Sequence, residues 1–105
     1  MVTMDALQVL AEPRRRAILR LVWERELPSS EIARQFEVTA PAVSQHLAVL
    51  REWGFVSVRR QGRQRLYRAD REALGELRAV LEAMWGEQLD SLARLAEREH
   101  RGGPA

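Results

Sequence analysis

The chain has 105 residues, of which 46% are hydrophobic and 30% are charged, and its formal net charge is +2. Because it contains no cysteine, disulfides, thiolate metal sites and cysteine nucleophiles are excluded. The first residues show no basic region followed by a long apolar run, so we expect no signal peptide, no membrane span and a cytoplasmic location. The length favours a single domain, which we place at residues 1–99, followed by a disordered tail over 100–105.

Three short helices are predicted before residue 37. An apolar helix covers residues 4–11, Pro13 begins a second helix that ends near residues 24–26, and a short third helix follows. Between the second and third helices, residues 27–30 (LPSS) interrupt the pattern and supply serines as N-cap residues. Helical spacing predicts that six side chains of these helices face inward: Ile18, Leu21, Val22, Ile32, Ala33 and Phe36.

A fourth helix is predicted from residue 40 to Trp53, after a tight turn at residues 37–38. Thr39 is a suitable N-cap, Pro41 falls in the first turn, and Gly54 ends the helix. At about 100° per residue, one line of side chains faces the core: Val43, Leu47, Leu50 and Gly54.

Beyond residue 54 the apolar pattern alternates over residues 56–59 and 65–68, which predicts a β-hairpin with its turn at residues 61–62. Asp70 then caps a last helix of about 28 residues, in which leucines recur every three or four positions. A small domain cannot cover so long an apolar stripe, so we expect the stripe to contact a second copy of the chain.

Positive charge is concentrated in the hairpin. All 17 basic residues are arginine, for which a GC-rich genome is the simplest explanation. Residues 54–69 hold five of them and no acidic residue, a net charge of +5. A charged run is usually only a solvated surface, but an arginine hairpin that directly follows a helix also suits phosphate binding.

These elements predict a mainly α fold with a small β-hairpin, a winged helix-turn-helix. Helix 40–53 would enter the DNA major groove, where base edges carry a readable pattern of donors and acceptors. The hairpin, or wing (residues 55–69), would lie on the phosphate backbone or in the minor groove. Residues 38–50 carry no charge, which suits close approach to base edges. The alternative is an alanine-rich helix selected only for helix propensity.

Candidate DNA contacts lie on the fourth helix and on the wing. Gln45 can pair with adenine, and Ser44 can bond a base edge or a phosphate. His46 projects to the border of the buried face, which favours a structural or phosphate-facing role over a base contact or a metal ligand. Tyr67 either bonds a phosphate or packs. The predicted DNA-binding set is Thr39, Pro41, Ala42, Ser44, Gln45, His46, Arg51, Arg59, Arg60, Arg63, Arg65 and Tyr67.

Structural roles are predicted for two further groups. Arg14, Arg15 and Arg16 begin the second helix, and we favour structural ion pairs for them. Trp23, Trp53 and Trp85 are interpreted as core or dimer contacts. The predicted dimer interface comprises Leu7, Leu10, Leu77, Leu81, Met84, Trp85, Leu89 and Leu92.

The segments LAEPRRRAILRLV, VSQHLAVLREWGFV and RRQGRQRLYR resemble the ArsR/SmtB family of small bacterial winged-helix transcriptional repressors. The resemblance covers residues 5–90. It implies a homodimer, formed by the first and last helices, that binds a palindromic operator and releases it when an inducer binds. It also implies recognition by Ser44, Gln45 and their neighbours, with Arg59–Arg65 as the wing.

The metal response of that family is not supported by this sequence. Metal-sensing members carry a cysteine motif near the start of the recognition unit, and residues 24–34 have no cysteine. Other members use Asp and His pairs on the last helix, where this chain has Glu87, Asp90 and Glu97 but no histidine before His100. We expect no metal and no cofactor. The sequence does not identify an inducer, although an apolar ligand near Trp85 would be compatible with it.

Two other functions are weighed against DNA binding. A winged helix can contact a protein instead, and an acidic partner would be attracted to the same arginines. An enzyme needs a nucleophile with a base, paired carboxylates or a metal, and the sequence shows no such cluster. We therefore predict a sequence-specific DNA-binding regulator, not an enzyme, whose partners are double-stranded DNA and a second copy of itself.

Overall fold

The structure is a computed structural model that describes residues 5–86. The chain divides after Leu74 into two units, which are described separately. The predicted interface residues Leu89 and Leu92 and the predicted tail lie outside the described residues. The elements of the first unit are α1 (Ala6–Ala11), α2 (Pro13–Leu21), β1 (Leu27–Pro28), α3 (Ser29–Arg34), α4 (Ala40–Glu52), β2 (Val56–Gln61), β3 (Gln64–Ala69) and α5 (Arg71–Leu74).

Side-chain caps begin the first two helices. The Asp5 carboxylate accepts from the Gln8 backbone N–H at 2.8 Å, and the Gln8 side chain accepts from the Asp5 N–H at 2.8 Å, which is a capping box. Pro13 begins α2 as predicted, and the Glu12 carboxylate accepts from the Arg14 N–H at 3.1 Å. α2 ends at Leu21, earlier than the sequence predicted.

α4 begins at Ala40, as the sequence predicted, and ends at Glu52, one residue before the predicted end. Thr39 Oγ1 accepts from the Ala42 N–H at 3.3 Å, and Pro41 lies in the first turn. Gly54 has a φ of +74°, a left-handed conformation that glycine adopts at little cost. The N–H groups of Gly54 and Phe55 each donate to a carbonyl of the last turn at 2.9 Å, which is a Schellman motif.

The core of the first unit forms where α4 packs against α2, α3 and β2. Val43, Leu47 and Leu50 are buried as predicted, and each buried side chain of this size stabilises the fold by about 1.5–3 kcal/mol. Among the inward-facing residues predicted on α2 and α3, Ile18, Val22 and Ile32 are buried, whereas Leu21, Ala33 and Phe36 are only half-buried. Leu19 is fully buried and was missed, and Gly54 is exposed.

The wing is the larger part of a three-stranded antiparallel sheet with the strand order β1-β3-β2. β2 and β3 join through Gly62 and Arg63, one residue later than predicted. Gly62 has a φ of +62° and Arg63 does not have a positive φ, the pattern of a type II′ hairpin turn. β1 lies at the sheet edge, where Pro28 is tolerated.

β1 is a correction to the sequence analysis. Leu27 and Pro28, predicted only as a break between helices, pair with Tyr67 and Leu66 of β3. The predicted serine cap of α3 is also wrong, because Pro28 occupies the N-cap position and no side chain caps the helix.

The predicted long last helix is wrong over the described residues. Asp70 does cap α5, since its carboxylate accepts from the Ala73 N–H at 3.2 Å. α5 nevertheless ends at Leu74, and Gly75 has a φ of +57°. Helical conformation resumes over residues 76–86. Leucines keep their helical spacing on both sides of the interruption, so apolar spacing alone predicts one continuous helix.

The described part of the second unit is one helical segment, residues 76–86. Arg78 Nε donates to Glu82 Oε1 at 2.8 Å, a stabilising pair one turn apart. Leu81 is buried, whereas Val80 and Met84 are exposed on one helical face. Between residues 5 and 86, no helix is long and apolar enough to cross a membrane.

Candidate nucleic-acid interface

The outer face of α4 is exposed, and over residues 40–50, before a charged last turn, it carries no charge. Pro41, Ser44, Gln45 and Ala48 are exposed, opposite the buried leucines of the same helix. Ala42 is half-buried, and Thr39 is exposed at the N-cap. Small neutral side chains let a helix backbone approach base edges closely, and the Gln45 amide can form a bidentate pair with adenine.

An open groove of about 550 Å³ separates α4 from β3. Its polar walls include the Arg51 side chain at the C-terminal end of α4 and the Arg65 and Tyr67 side chains of the wing. Guanidinium and hydroxyl donors are the groups that commonly bind DNA phosphates. The groove is lined by Ser44, Leu47, Ala48, Arg51, Glu52, Arg65 and Tyr67.

A second open groove, of about 390 Å³, continues the first towards the wing tip. Ser44, Arg65 and Tyr67 line both grooves, so these three side chains lie where the grooves meet. Sequence reasoning missed Ser29 and Ser30, whose position directly after β1 brings them to this surface. The second groove is lined by Pro28, Ser29, Ser30, Ser44, Arg63, Gln64, Arg65 and Tyr67.

The β2–β3 ladder separates the side chains of the wing onto two faces. Residues directly opposite each other in the β2–β3 ladder share a face of the sheet, so Arg60 lies with Arg65, and Val58 with Tyr67. Because Arg65 and Tyr67 line the groove beside α4, this is the face that borders α4. We call it the inner face of the wing.

The outer face of the wing carries Arg59, which forms an ion pair with Glu26. Arg59 Nε donates to Glu26 Oε2 at 2.9 Å, and Arg59 Nη2 donates to Glu26 Oε1 at 3.0 Å and to Gln61 Oε1 at 3.3 Å. The bond from Arg59 lowers the pKa of Glu26 from its usual value, and the same bond raises the pKa of Arg59. Arg59 therefore differs from the other predicted phosphate ligands of the wing.

His46 lies at the edge of α4 and is half-buried. Burial lowers its pKa from the usual value; Arg15 and Arg14 lower it further, whereas Glu12 opposes them. These charged groups belong to the start of α2. The structural or phosphate-facing role predicted for His46 stays a prediction, with which its half-buried position agrees.

Arg15 and Arg16 at the start of α2 bond carbonyls, which corrects the ion pairs predicted for these two residues. Arg15 Nε donates to the Val9 carbonyl at 2.7 Å. Arg16 Nη1 donates to the carbonyls of Leu10 at 2.7 Å and Ala11 at 2.9 Å. Both side chains thus satisfy carbonyls of the last turn of α1 that have no partner within the helix, and their charge suits the negative end of its dipole.

The tryptophans differ in their surroundings. Trp23 is buried, and Trp85 is half-buried. Trp53 is 37% exposed at the end of α4 and stacks on Phe55 with ring centroids 6.1 Å apart. Trp53 is therefore not a core residue of the single chain, and the other role predicted for it, a dimer contact, stays a prediction.

Exposed apolar side chains occur in both units. Leu7 of α1 is 67% exposed, and Val80 and Met84 are 55% and 37% exposed. Val80 was not among the predicted interface residues. Among the other predicted interface residues, Leu10 and Leu81 are already buried in the single chain, and Leu77 and Trp85 are half-buried.

The described residues do not fit a metal centre. Over residues 5–86, no group of three or more His, Cys, Asp or Glu side chains could hold a metal ion. The full sequence contains no cysteine, so a thiolate site is excluded throughout the chain.

Comparison with known proteins gives concordant matches. Residues 12–58 match the family described as "Bacterial regulatory protein, arsR family". The HTH-type transcriptional regulator Rv2034 of Mycobacterium tuberculosis is 39% identical over 94 residues, which cover 90% of this chain and 88% of that protein.

Two solved structures resemble the fold. One is described as a possible transcriptional regulator for arsenical resistance; it has a TM-score of 0.67 and 40% identity, over 88% of this chain and 96% of that one. The other is the homodimeric winged helix-turn-helix DNA-binding domain of Mb0332 from Mycobacterium bovis. It has a TM-score of 0.66 and 26% identity, over 85% of this chain and 94% of that one.

Proposed function

Because this chain belongs to the arsR family of bacterial regulatory proteins, we propose that it is a homodimeric transcriptional repressor that binds a palindromic DNA operator. α4 enters the major groove and reads bases through Gln45 and Ser44. The inner face of the wing binds the phosphate backbone. Repression follows from occlusion, since a dimer bound across a promoter excludes the polymerase.

The observation that carries this proposal is the meeting of an uncharged helix face and a cationic strand face at Ser44, Arg65 and Tyr67. Base edges require small neutral contacts, whereas phosphates require cations and hydroxyls. An acidic protein partner would explain the arginines but not the uncharged face of α4. The relatives, which are named as transcriptional regulators or as a DNA-binding domain, also favour DNA.

The homodimer is proposed from the exposed apolar side chains and from the Mb0332 domain, whose description calls it homodimeric. Leu7, Val80 and Met84 offer apolar area that water would otherwise cover. Two α4 helices on one face of the duplex require half-sites with centres about 10 bp apart, or a multiple of that distance.

The proposed repressor does not respond to a thiolate-bound metal. The chain has no cysteine, and residues 5–86 hold no cluster of metal ligands. A small-molecule inducer, if one acts on the protein, has to use other chemistry.

The proposal is tested by capturing genomic DNA on the purified protein, followed by titration of the recovered operator at several salt concentrations. A dimer that contacts roughly 6–10 phosphates gives a slope of log K against log salt of about −5 to −9. A slope near zero, or recovery of no defined sequence, would contradict the proposed function.

A further inference from the structure

One arginine of the wing has its own counter-ion in the protein. Glu26 holds the Arg59 guanidinium in a two-bond fork, and Gln61 accepts a third hydrogen bond. A guanidinium has five N–H donors, so three of the five are occupied. Glu26 and Arg59 are 33 residues apart in the chain, and the fork therefore joins the wing to the residue that precedes β1.

The same carboxylate acts on a second arginine of the outer face. Arg68 pairs with Ser57 in the ladder and thus shares the face of Arg59. Arg59 and Arg68 both hold the pKa of Glu26 below its usual value. One carboxylate thus lowers the net charge of the two outer-face guanidiniums from +2 to +1, whereas Arg60 and Arg65 give the inner face a charge of +2.

We propose that Glu26 is a specificity-determining residue for DNA binding, because it withdraws Arg59 from the set of cations available to phosphates. The inference rests on the proposed function. Phosphate contacts raise the affinity for every DNA sequence alike, whereas base contacts distinguish sequences. An acid that neutralises a wing cation therefore lowers non-specific binding and leaves the contacts made by α4 intact.

Stability alone gives a weaker explanation of the pair. The Arg59 side chain is 57% exposed, and exposed ion pairs contribute little to folding. An unpaired arginine on a long flexible side chain of the wing would instead be free to reach a flanking phosphate. The main effect of the pair is thus expected in DNA binding.

The test compares Glu26→Ala, Arg59→Ala and the double variant on the captured operator and on random-sequence duplex. Glu26→Ala is expected to raise the affinity for random DNA several-fold and to steepen its salt slope by about 0.9 per protomer. The ratio of operator to random affinity falls accordingly. Arg59→Ala alone leaves the slope unchanged, and the double variant returns to the wild-type slope.

Glu24→Ala is the matched control, since it removes the same charge from an exposed side chain two residues earlier. Its random-DNA slope is expected to stay near the wild-type value. Circular dichroism establishes that each variant is folded, and Glu26→Gln, which keeps the side-chain length, replaces Glu26→Ala if that variant does not fold.

Three results would overturn the inference. Arg59→Ala alone could flatten the slope by about 0.9, which would mean that Arg59 already contacts a phosphate. The double variant could keep the steeper slope, or Glu24→Ala could match Glu26→Ala; either would reduce the effect to general charge removal. A wild-type slope near zero is a different result, because it overturns the proposed function and the inference with it.

Discussion

Arg60 lies directly opposite Arg65 in the β2–β3 ladder, so two exposed guanidiniums share one face of the wing at the same register position. Opposite charges stabilise such cross-strand pairs, and like charges destabilise them. Residues that break a local rule of this kind are expected at functional sites. An anion beside the two side chains removes the conflict, and a DNA phosphate is such an anion.

Replacement of Arg60 by Gln is therefore expected to affect stability and DNA binding in opposite directions. The free energy of unfolding rises by a few tenths of a kcal/mol, because the repulsion with Arg65 is lost. DNA affinity falls for all sequences alike, and the salt slope flattens by about 0.9 per protomer. Urea denaturation and salt titrations measure the two effects. Arg78→Gln, outside the proposed interface, serves as the control and keeps wild-type DNA affinity.

Gln45→Ala and Arg63→Ala are expected to separate base recognition from backbone binding. Gln45→Ala weakens operator binding by about 1–3 kcal/mol and leaves random DNA nearly unaffected, because a bidentate base contact is lost. Arg63→Ala weakens binding to both DNAs to a similar extent. Fluorescence anisotropy with the two duplexes measures the difference. Equal losses for the two variants on both duplexes would show that the recognition face is assigned wrongly.

Removal of the Arg16 side chain is expected to destabilise the first unit. Arg16→Ala leaves the carbonyls of Leu10 and Ala11 without their charged donor, at a cost of about 1 kcal/mol since the site is partly solvated. Arg14→Ala, at an exposed neighbouring position, is expected to stay within about 0.5 kcal/mol of wild type. Denaturant midpoints measure the free energy of unfolding of both variants. Equal destabilisation by the two substitutions would show that the bonds from Arg16 to the carbonyls do not stabilise the unit.

His46 is expected to make stability depend on pH in the range below about 6.5. Burial, Arg15 and Arg14 lower its pKa, with Glu12 in opposition, so the unfolded chain takes up a proton first as the pH falls below about 6.5. Stability is therefore greatest above this range and decreases as the pH falls. His46→Gln removes this dependence. A wild-type midpoint that does not change with pH would contradict the prediction.

The carboxylates give a separate, more acidic effect. The pKa values of Glu12 and Glu26 are lowered from the usual 4.5 by their hydrogen bonds to Arg14 and Arg59. Their stabilising contribution is present above that value and is lost as the pH falls below it. The His46 window can thus be measured without interference from these two groups.

The sequence predicted α4 well because its signals are local. Thr39, Pro41 and Gly54 mark the ends within a few residues of the helix they bound, and the apolar spacing identified the buried side. By contrast, β1 has two residues, one of which is proline, and it exists only because β3 passes beside it. No local sequence pattern predicts such a strand.

Long-range contacts account for the remaining differences at the candidate site. The fork between Glu26 and Arg59 joins residues far apart in the chain, so charge counting placed Arg59 with the other arginines of the wing. The carbonyl bonds of Arg15 and Arg16 depend on how α1 meets α2. Gly75 did carry a local signal, but the leucine stripe on either side favoured an uninterrupted helix.

The pairing of Leu27 with Tyr67 also separates the residues proposed to bind DNA from those proposed to form the dimer. The two residues are neighbours in one sheet, and every residue proposed to touch DNA lies in the segment from Leu27 to Tyr67, with Tyr67 as its last residue. Leu7, Val80 and Met84, the exposed apolar residues proposed for dimerisation, lie outside. The recognition segment, residues 27–67, thus has its two ends side by side in the sheet. We expect an exchange of this segment between relatives to transfer operator preference and to leave subunit pairing intact.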